Sequence, residues 1–171
     1  MEKREGPPPV NFYLKFMMKG VERPFVYTVN KSEWDRVSDL FREDRDVAAP
    51  TFVSFLEGEQ GRVVHINPNH VLLHQALFDA GWTVPEKAEE GDYPNLDRVT
   101  FYIDGLALPL HYDHMDESDI GDLNFSFHVY SPDEAAFISF TDVDGEQNSI
   151  RAEKVMLVES PDYEADPEED E

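Results

Sequence analysis

The sequence predicts an α+β fold, mainly β: a tandem duplication of one small antiparallel unit of order β-β-α-β-β-β, each copy barrel-like or half-barrel, packed as a pseudo-two-fold pair. Three observations predict it. Blocks repeat in the same order: Phe52-Val53-Ser54-Phe55 returns as Phe137-Ile138-Ser139-Phe140, and Phe16-Met17-Met18-Lys19-Gly20 as Phe101-Tyr102-Ile103-Asp104-Gly105, both at an offset of 85. Tyr27 matches Tyr112 at the same offset, Gly58-Glu59-Gln60 matches Gly145-Glu146-Gln147 at 87, and Ile66 with Val71-Leu72-Leu73 matches Ile150 with Val155-Met156-Leu157 at 84. Second, most runs between turn residues alternate apolar and polar with period two, as half-buried strands do. Third, a single segment, beginning near Ser32, has convincing helical spacing.

In the first copy, residues 12 to 18 place Phe12, Leu14, Phe16 and Met18 on one face and Tyr13, Lys15 and Met17 on the other. A turn at Gly20 leads to a second strand, Phe25 to Val29, rich in aromatic and β-branched residues. Ser32 is placed to cap the helix, with Asp35 in its first turn and Trp34, Val37, Leu40 and Phe41 on the core face. Residues 51 to 56 and 62 to 66 form a hairpin, and Asn67-Pro68-Asn69 is turn chemistry before a last strand at Val71 to His74. Ala76 to Ala80 reads as one helical turn closed by Gly81.

The second copy is expected to run Val99 to Ile103, Leu106 to Tyr112, a degraded helix around Glu117 to Leu123 that Gly121 weakens, then strands at 124 to 130, 135 to 141, 148 to 151 and 154 to 158. The strand at 124 to 130 stands where the first copy has the polar segment Arg42 to Asp46; Phe125, Phe127 and Val129 alternate there with Ser126, His128 and Tyr130. The domains are therefore a flexible N-terminal tail 1–10, a first repeat 11–81, a linker 82–98, a second repeat 99–160 and a disordered acidic tail 161–171.

Composition narrows the function. The chain has 171 residues, 40% hydrophobic and 12% aromatic, enough for a sizeable core. No window approaches a membrane span, and MEKREGPPPV lacks the apolar core of a secretory signal, so a soluble cytoplasmic protein is expected. The absence of cysteine removes disulfides, thiolate metal sites and cysteine nucleophiles. A net charge of −23 repels phosphate backbones and anionic lipid and attracts basic surfaces, so neither nucleic acid nor membrane is an expected partner. That charge is uneven: residues 11–81 carry ten acids against eight bases, residues 99–160 thirteen acids against Arg151 and Lys154 alone. Adaptation of a whole proteome to salt would acidify both copies alike, whereas the asymmetry points to a specialised face and a cationic partner.

Ser38-Asp39-Leu40-Phe41, then Phe52-Val53-Ser54-Phe55, then Ile66-Asn67-Pro68-Asn69-His70-Val71 resembles small uncharacterised bacterial β-domains in which an S-D-L-L helix precedes two strands and an I-N-x-x-x-V turn. The last part also resembles the closing strand–turn–strand of Sm-like small barrels. The resemblance covers about 40 residues of each copy; the second copy lacks the Ser-Asp-Leu helix and has Arg151 in place of Asn67. It implies a small barrel or half-barrel per copy and no activity, and the basic RNA-contacting residues of Sm-like rings have no counterpart.

Candidate chemistry is sparse. His111, Asp113 and His114 could form an oxygen and nitrogen metal site, but a strand would point His111 and Asp113 to one face and His114 to the other. Asp142, Asp144 and Glu146 resemble a calcium loop, yet a hairpin turn accounts for Asp144-Gly145. His65, His70 and His74 are assigned structural or surface roles. With no Gly-rich phosphate loop, G-x-S-x-G or H-E-x-x-H, no catalytic residue and no cofactor are assigned. The expected function is a non-enzymatic interaction module whose second copy docks a basic protein surface through Asp113, Asp116, Glu117 and Asp119, with Tyr13, Tyr102 and Tyr130 as exposed anchors. The alternatives are an inhibitor that mimics DNA's charge and a metal protein or enzyme using His111 to His114. Oligomeric state is left open.

Overall fold

The computed structural model describes residues 10–41, 52–58, 61–80 and 98–163. The first half runs β1 (Val10–Met18), β2 (Phe25–Val29), α1 (Lys31–Leu40), β3 (Val53–Glu57), β4 (Arg62–Ile66), a 3₁₀ turn at Pro68–His70 and β5 (Val71–Ala80). The second runs β6 (Val99–Ile103), β7 (Leu110–Tyr112), α2 (Glu117–Val129), β8 (Phe137–Thr141), β9 (Gln147–Arg151), a 3₁₀ turn at Ala152–Lys154 and β10 (Val155–Pro161). Element order is the same in both halves, and so is pairing: β1 lies between β2 and β5, β6 between β7 and β10, and β3–β4 and β8–β9 are hairpins, all antiparallel.

The correspondence extends to single rungs. Val53 faces Ile66 and Ser54 faces His65, as Ile138 faces Ile150 and Ser139 faces Ser149. Both fifth strands carry a bulge after the first rung, skipping Leu72 in β5 and Met156 in β10. Gly20 and Gly105 supply the positive φ of the first turn in each half, a conformation costly for other residues. The Lys19 N–H donates to the His70 carbonyl at 2.9 Å, and the Asp104 N–H to the Lys154 carbonyl at 2.8 Å.

The halves part company at one contact. The free edge of β10 pairs with β4, giving a five-stranded sheet of order β3-β4-β10-β6-β7, while β2-β1-β5 and β8-β9 stand as separate sheets. No sheet among the described residues closes into a barrel, because β4 leaves its own half to continue the other half's sheet. Two cores result. One gathers Leu14, Phe16, Met18, Tyr27, Val37, Phe55 and Ile66 with Met156 and Leu157; the other gathers Phe101, Ile120, Leu123, Phe127 and Phe140 with Val155 and Val158. β10 thus contributes to both.

Several sequence expectations are corrected. The cap of α1 is Asn30, whose side chain accepts from the Glu33 N–H at 2.8 Å; Ser32 lies inside the helix. The expected core face holds, with Val37 buried and Trp34, Leu40 and Phe41 packed against the first core. Ala76 to Ala80 is strand, because β5 ladders onto β1 over its whole length. Residues 124 to 129 continue α2: Ile120, Leu123 and Phe127 share a buried stripe at helical spacing, whereas the alternation of Phe125 and Val129 leaves both exposed. Only Leu110–Tyr112 of the expected strand from Leu106 pairs with β6, since Pro109 lacks an N–H to donate. The start of the expected disordered tail is ordered: Pro161 belongs to β10 and Tyr163 packs on the second core. The linker to residue 97 and the segment Arg42 to Asp46 lie outside the described residues. Among those described, no helix is long and apolar enough to cross a membrane.

Candidate functional site

The two helices meet the hairpins beside them in different ways, and the difference is chemical. In the first half Glu33 and Arg36 pair at 2.7 Å on the face of α1 toward β3. From there the Arg36 guanidinium donates to the Ser54 carbonyl at 2.5 Å, and Glu33 accepts the Leu56 N–H at 3.1 Å. Helix side chains so complete the outer edge of β3, which backbone alone would leave unpaired. The second half has Asp119 where the first has Glu33, Asp122 where it has Arg36, and Leu123 where it has Val37. A cleft of about 150 Å³ opens there against the edge of β8, lined by Asp119, Asp122, Leu123, Ser139, Phe140 and Thr141. Of the corresponding first-half residues, Glu33, Arg36, Ser54 and Leu56 form the brace, and Val37 and Phe55 are core.

Two carboxylates cannot brace one another. Partial burial, and then the charges of Asp116 and Asp122, push the Asp119 carboxyl above its ordinary range. Among the described residues, none of Asp116, Asp119 and Asp122 pairs with a Lys or Arg. The cleft is chemically suited to a cationic side chain entering as Arg36 does, charge-bonded to the acids and donating to the backbone edge of β8.

The sequence-predicted residues distribute as follows. Asp116 caps α2, its carboxylate accepting from the Ser118 N–H at 3.3 Å, and Glu117 is exposed in the first turn. Asp113 is paired with Arg98 at 2.7 Å, and that hydrogen bond holds its carboxyl below its ordinary range. Tyr13 is only 4% exposed and is no surface anchor: it sits on the central strand β1 with Thr28 and Leu77 as cross-strand neighbours. Tyr102 is half-buried, edge-on to Phe25 with ring centroids 4.9 Å apart. Tyr130 is half-buried, its hydroxyl donating to the Ala135 carbonyl at 2.7 Å and its ring edge-on to Phe52. His111 is held by Thr100 across the strand pair at 2.9 Å, and His114 takes a positive φ of 59° in the following turn. Among the described residues no three His, Asp or Glu side chains converge to hold a metal ion. Asp142 folds back on its own hairpin, accepting from the backbone of Asp144 and Glu146, each at 3.0 Å.

Sequence reasoning missed two interior constellations. His65, on β4, is buried between Ser54 and Asn124: its Nδ1 lies 2.6 Å from the Ser54 hydroxyl and its Nε2 3.1 Å from Asn124 Oδ1. The Asn124 amide nitrogen donates to the Pro161 and Tyr163 carbonyls, so its oxygen must accept from His65, which fixes the Nε2–H tautomer and makes Ser54 the donor to Nδ1. A cleft of about 290 Å³ opens beside them, lined also by Gly121, Phe125 and His128. The connectivity is that of a nucleophile, base and orienting group, but the electrostatics are not. Burial pushes the imidazole down to about 4, and neutral Asn124 offers no charge to stabilise an imidazolium, so His65 is a poor proton acceptor near neutral pH. The chain of bonds instead fastens α2 to β3, β4 and β10. Cross-strand placement of Ser54 and His65 was implicit in the hairpin register; Asn124, more than fifty residues on, was not.

The second constellation lies where the halves join. Arg62, 3% exposed, stands 3.9 Å from the Glu159 carboxylate, with the phenols of Tyr27 and Tyr102 close enough to act on its ionisation. Burial raises the Glu159 carboxyl despite Arg62, and burial with Glu159 raises both phenols. The cluster links β2, β4, β6 and β10 and points into no solvent cleft described above. No family model, curated protein or solved structure matches this chain.

Proposed function

We propose that the protein is a non-enzymatic interaction module, built from two tandem copies of one β-β-α-β-β-β unit, whose acidic second copy docks a basic protein surface. The observation that carries this reading is the cleft at Asp119 and Asp122. The first half fills the equivalent place with its own Arg36, while the second half offers two carboxylates and a strand edge to a cation from elsewhere. A partner's arginine is the best-matched occupant, because its planar fork donates to carboxylate and carbonyl together. The uneven charge agrees: a net −11 over residues 99–160 would attract such a partner over a distance set by salt. Duplication is supported by the common element order, the matching rungs and the bulges at Leu72 and Met156.

The test is Asp122→Arg, which installs the first half's brace in the second. Capture of basic proteins from a lysate, and binding of an arginine-rich peptide at low salt, should fall at least tenfold while the thermal midpoint holds or rises. Unchanged capture by the folded variant overturns the reading. Displacement of DNA from a captured partner would instead identify the DNA-mimic form of the same docking.

A further inference from the structure

We propose that the chain self-associates head to tail, the outer edge of β5 in one molecule pairing antiparallel with the outer edge of β9 in a second copy. The template is inside the molecule. The fourth strand of the first half, β4, pairs with the fifth strand of the second, β10, at Ile66↔Leu157, His65↔Val158, Val64↔Glu159 and Val63↔Ser160. The reciprocal pair, the fourth strand of the second half with the fifth of the first, is β9 with β5. Within one chain they do not meet: among the described residues β5 is an edge of its three-stranded sheet and β9 an edge of its hairpin.

The side chains of β5 are arranged as though that partner existed. On β10 the bulged Met156 and its neighbour Leu157 are 6% and 0% exposed, because they enter the core of the half to which β4 belongs. Their counterparts Leu72 and Leu73, at the same bulge, are 70% and 45% exposed. Val71 and His74, which correspond to Val155 and Val158, do pack on their own half's core. The strand therefore uses the face it shares with its own half and presents the other. Transferring the internal register puts Leu73 opposite Ile150, His74 opposite Ser149, Gln75 opposite Asn148 and Ala76 opposite Gln147, so apolar meets apolar at Leu73 and Ile150, while the Asn148 amide keeps its bonds to Asp142 and the Glu146 carbonyl. The Asn67 N–H donates to the Met156 carbonyl at 2.9 Å; in the transferred contact Arg151 N–H meets the Leu72 carbonyl.

Charge supports the same pairing. The chain holds 37 acids in 171 residues, yet Val71 to Phe78 and Gln147 to Arg151 contain none, and Arg151 and Lys154, the two bases of residues 99–160, lie at or just beyond the end of β9. Elsewhere repulsion between copies is strong, so added salt should promote association. The contact is heterologous, joining unlike surfaces, and generates a closed ring or an open chain.

The experiment uses the full chain, which has no cysteine of its own. Sedimentation velocity over a range of concentrations, at low and at 0.5 M salt, should show association that strengthens with salt, and Leu72→Glu with Leu73→Glu should weaken it at least tenfold with circular dichroism unchanged. Oxidised Gln75→Cys/Asn148→Cys should give a disulfide-linked ladder on a denaturing gel, and a mixture of the two single variants a crossed dimer. A monomer under every condition overturns the proposal. So does association that survives the glutamates, or cross-linking of Gln75→Cys to itself but not to Asn148→Cys.

Discussion

β5 and β10 occupy the same place in their halves, share the same bulge and ladder onto equivalent first strands, yet one is an edge and the other the centre of the largest sheet. Both read Val-hydrophobic-Leu at their start, Val71-Leu72-Leu73 and Val155-Met156-Leu157. The difference arises from the neighbour. β10 meets β4 on its free side and places Met156 and Leu157 in the first core, while among the described residues β5 meets no strand there and Leu72 and Leu73 stay exposed. Burial is thus a property of pairing topology as much as of residue type, and near-identical segments carry different shares of the stability.

The sharpest test substitutes the same residue at the two places. Leu157→Ala should cost about 2–5 kcal/mol by urea denaturation, a lost core side chain plus the cavity it leaves, and Leu73→Ala under about 1 kcal/mol in dilute monomer. Equal costs would break the comparison. His65 comes next, since its counterpart on β9 is Ser149 and only the first half holds this buried imidazole. With a folded pKa of about 4, below its unfolded value near 6.5, His65 binds fewer protons folded than unfolded between those limits, so stability must fall as pH drops through them. The loss by pH 4 should approach about 3 kcal/mol. His65→Gln should flatten the slope; taking the difference from wild type cancels the contribution of Glu159.

The helices give the smaller effects. Asn30→Ala removes the cap of α1 and should cost about 1 kcal/mol. Asp116→Ala removes the corresponding cap of α2 and should cost less, because it also relieves repulsion on Asp119. Smallest, Asp119→Asn should raise the unfolding free energy at pH 7 by a few tenths of a kcal/mol, as relief of like charges one turn apart does. A loss of stability there would mean that attraction of Asp119 to the positive end of α2, or to a cation, outweighs that repulsion.

Much of this is legible in the sequence. Alternation in Phe12 to Met18 gave the inner face of β1, and Trp34, Val37, Leu40 and Phe41 gave that of α1, since both follow from periodicity alone. The segment from Asn124 to Val129 reads as a strand because Phe125, Phe127 and Val129 satisfy period two, while Ile120, Leu123 and Phe127 satisfy the helical period; in the structure Asp116 caps the helix and α2 packs on β8 and β10. Tyr13 was placed on an open face that turned out covered. The acidic residues of the candidate site were visible as composition, but the cleft was not, because it depends on Asp122 standing where Arg36 closes the other half.

By itself the sequence determined the local pieces: strand alternation, the turns at Gly20 and Gly105, the repeated blocks and the concentration of carboxylates after residue 98. The alternation and the turns rest on the geometry of a few neighbouring residues, the repeats and the charge on order along the chain alone. Tertiary structure alone decided that β4 joins β10 rather than its own half, that Ser54, His65 and Asn124 meet, and that β5 remains an edge. The physical reason is that every strand edge offers the same backbone donors and acceptors. Which edges join is settled by the apolar faces brought together on either side, and those faces exist only once both halves have folded.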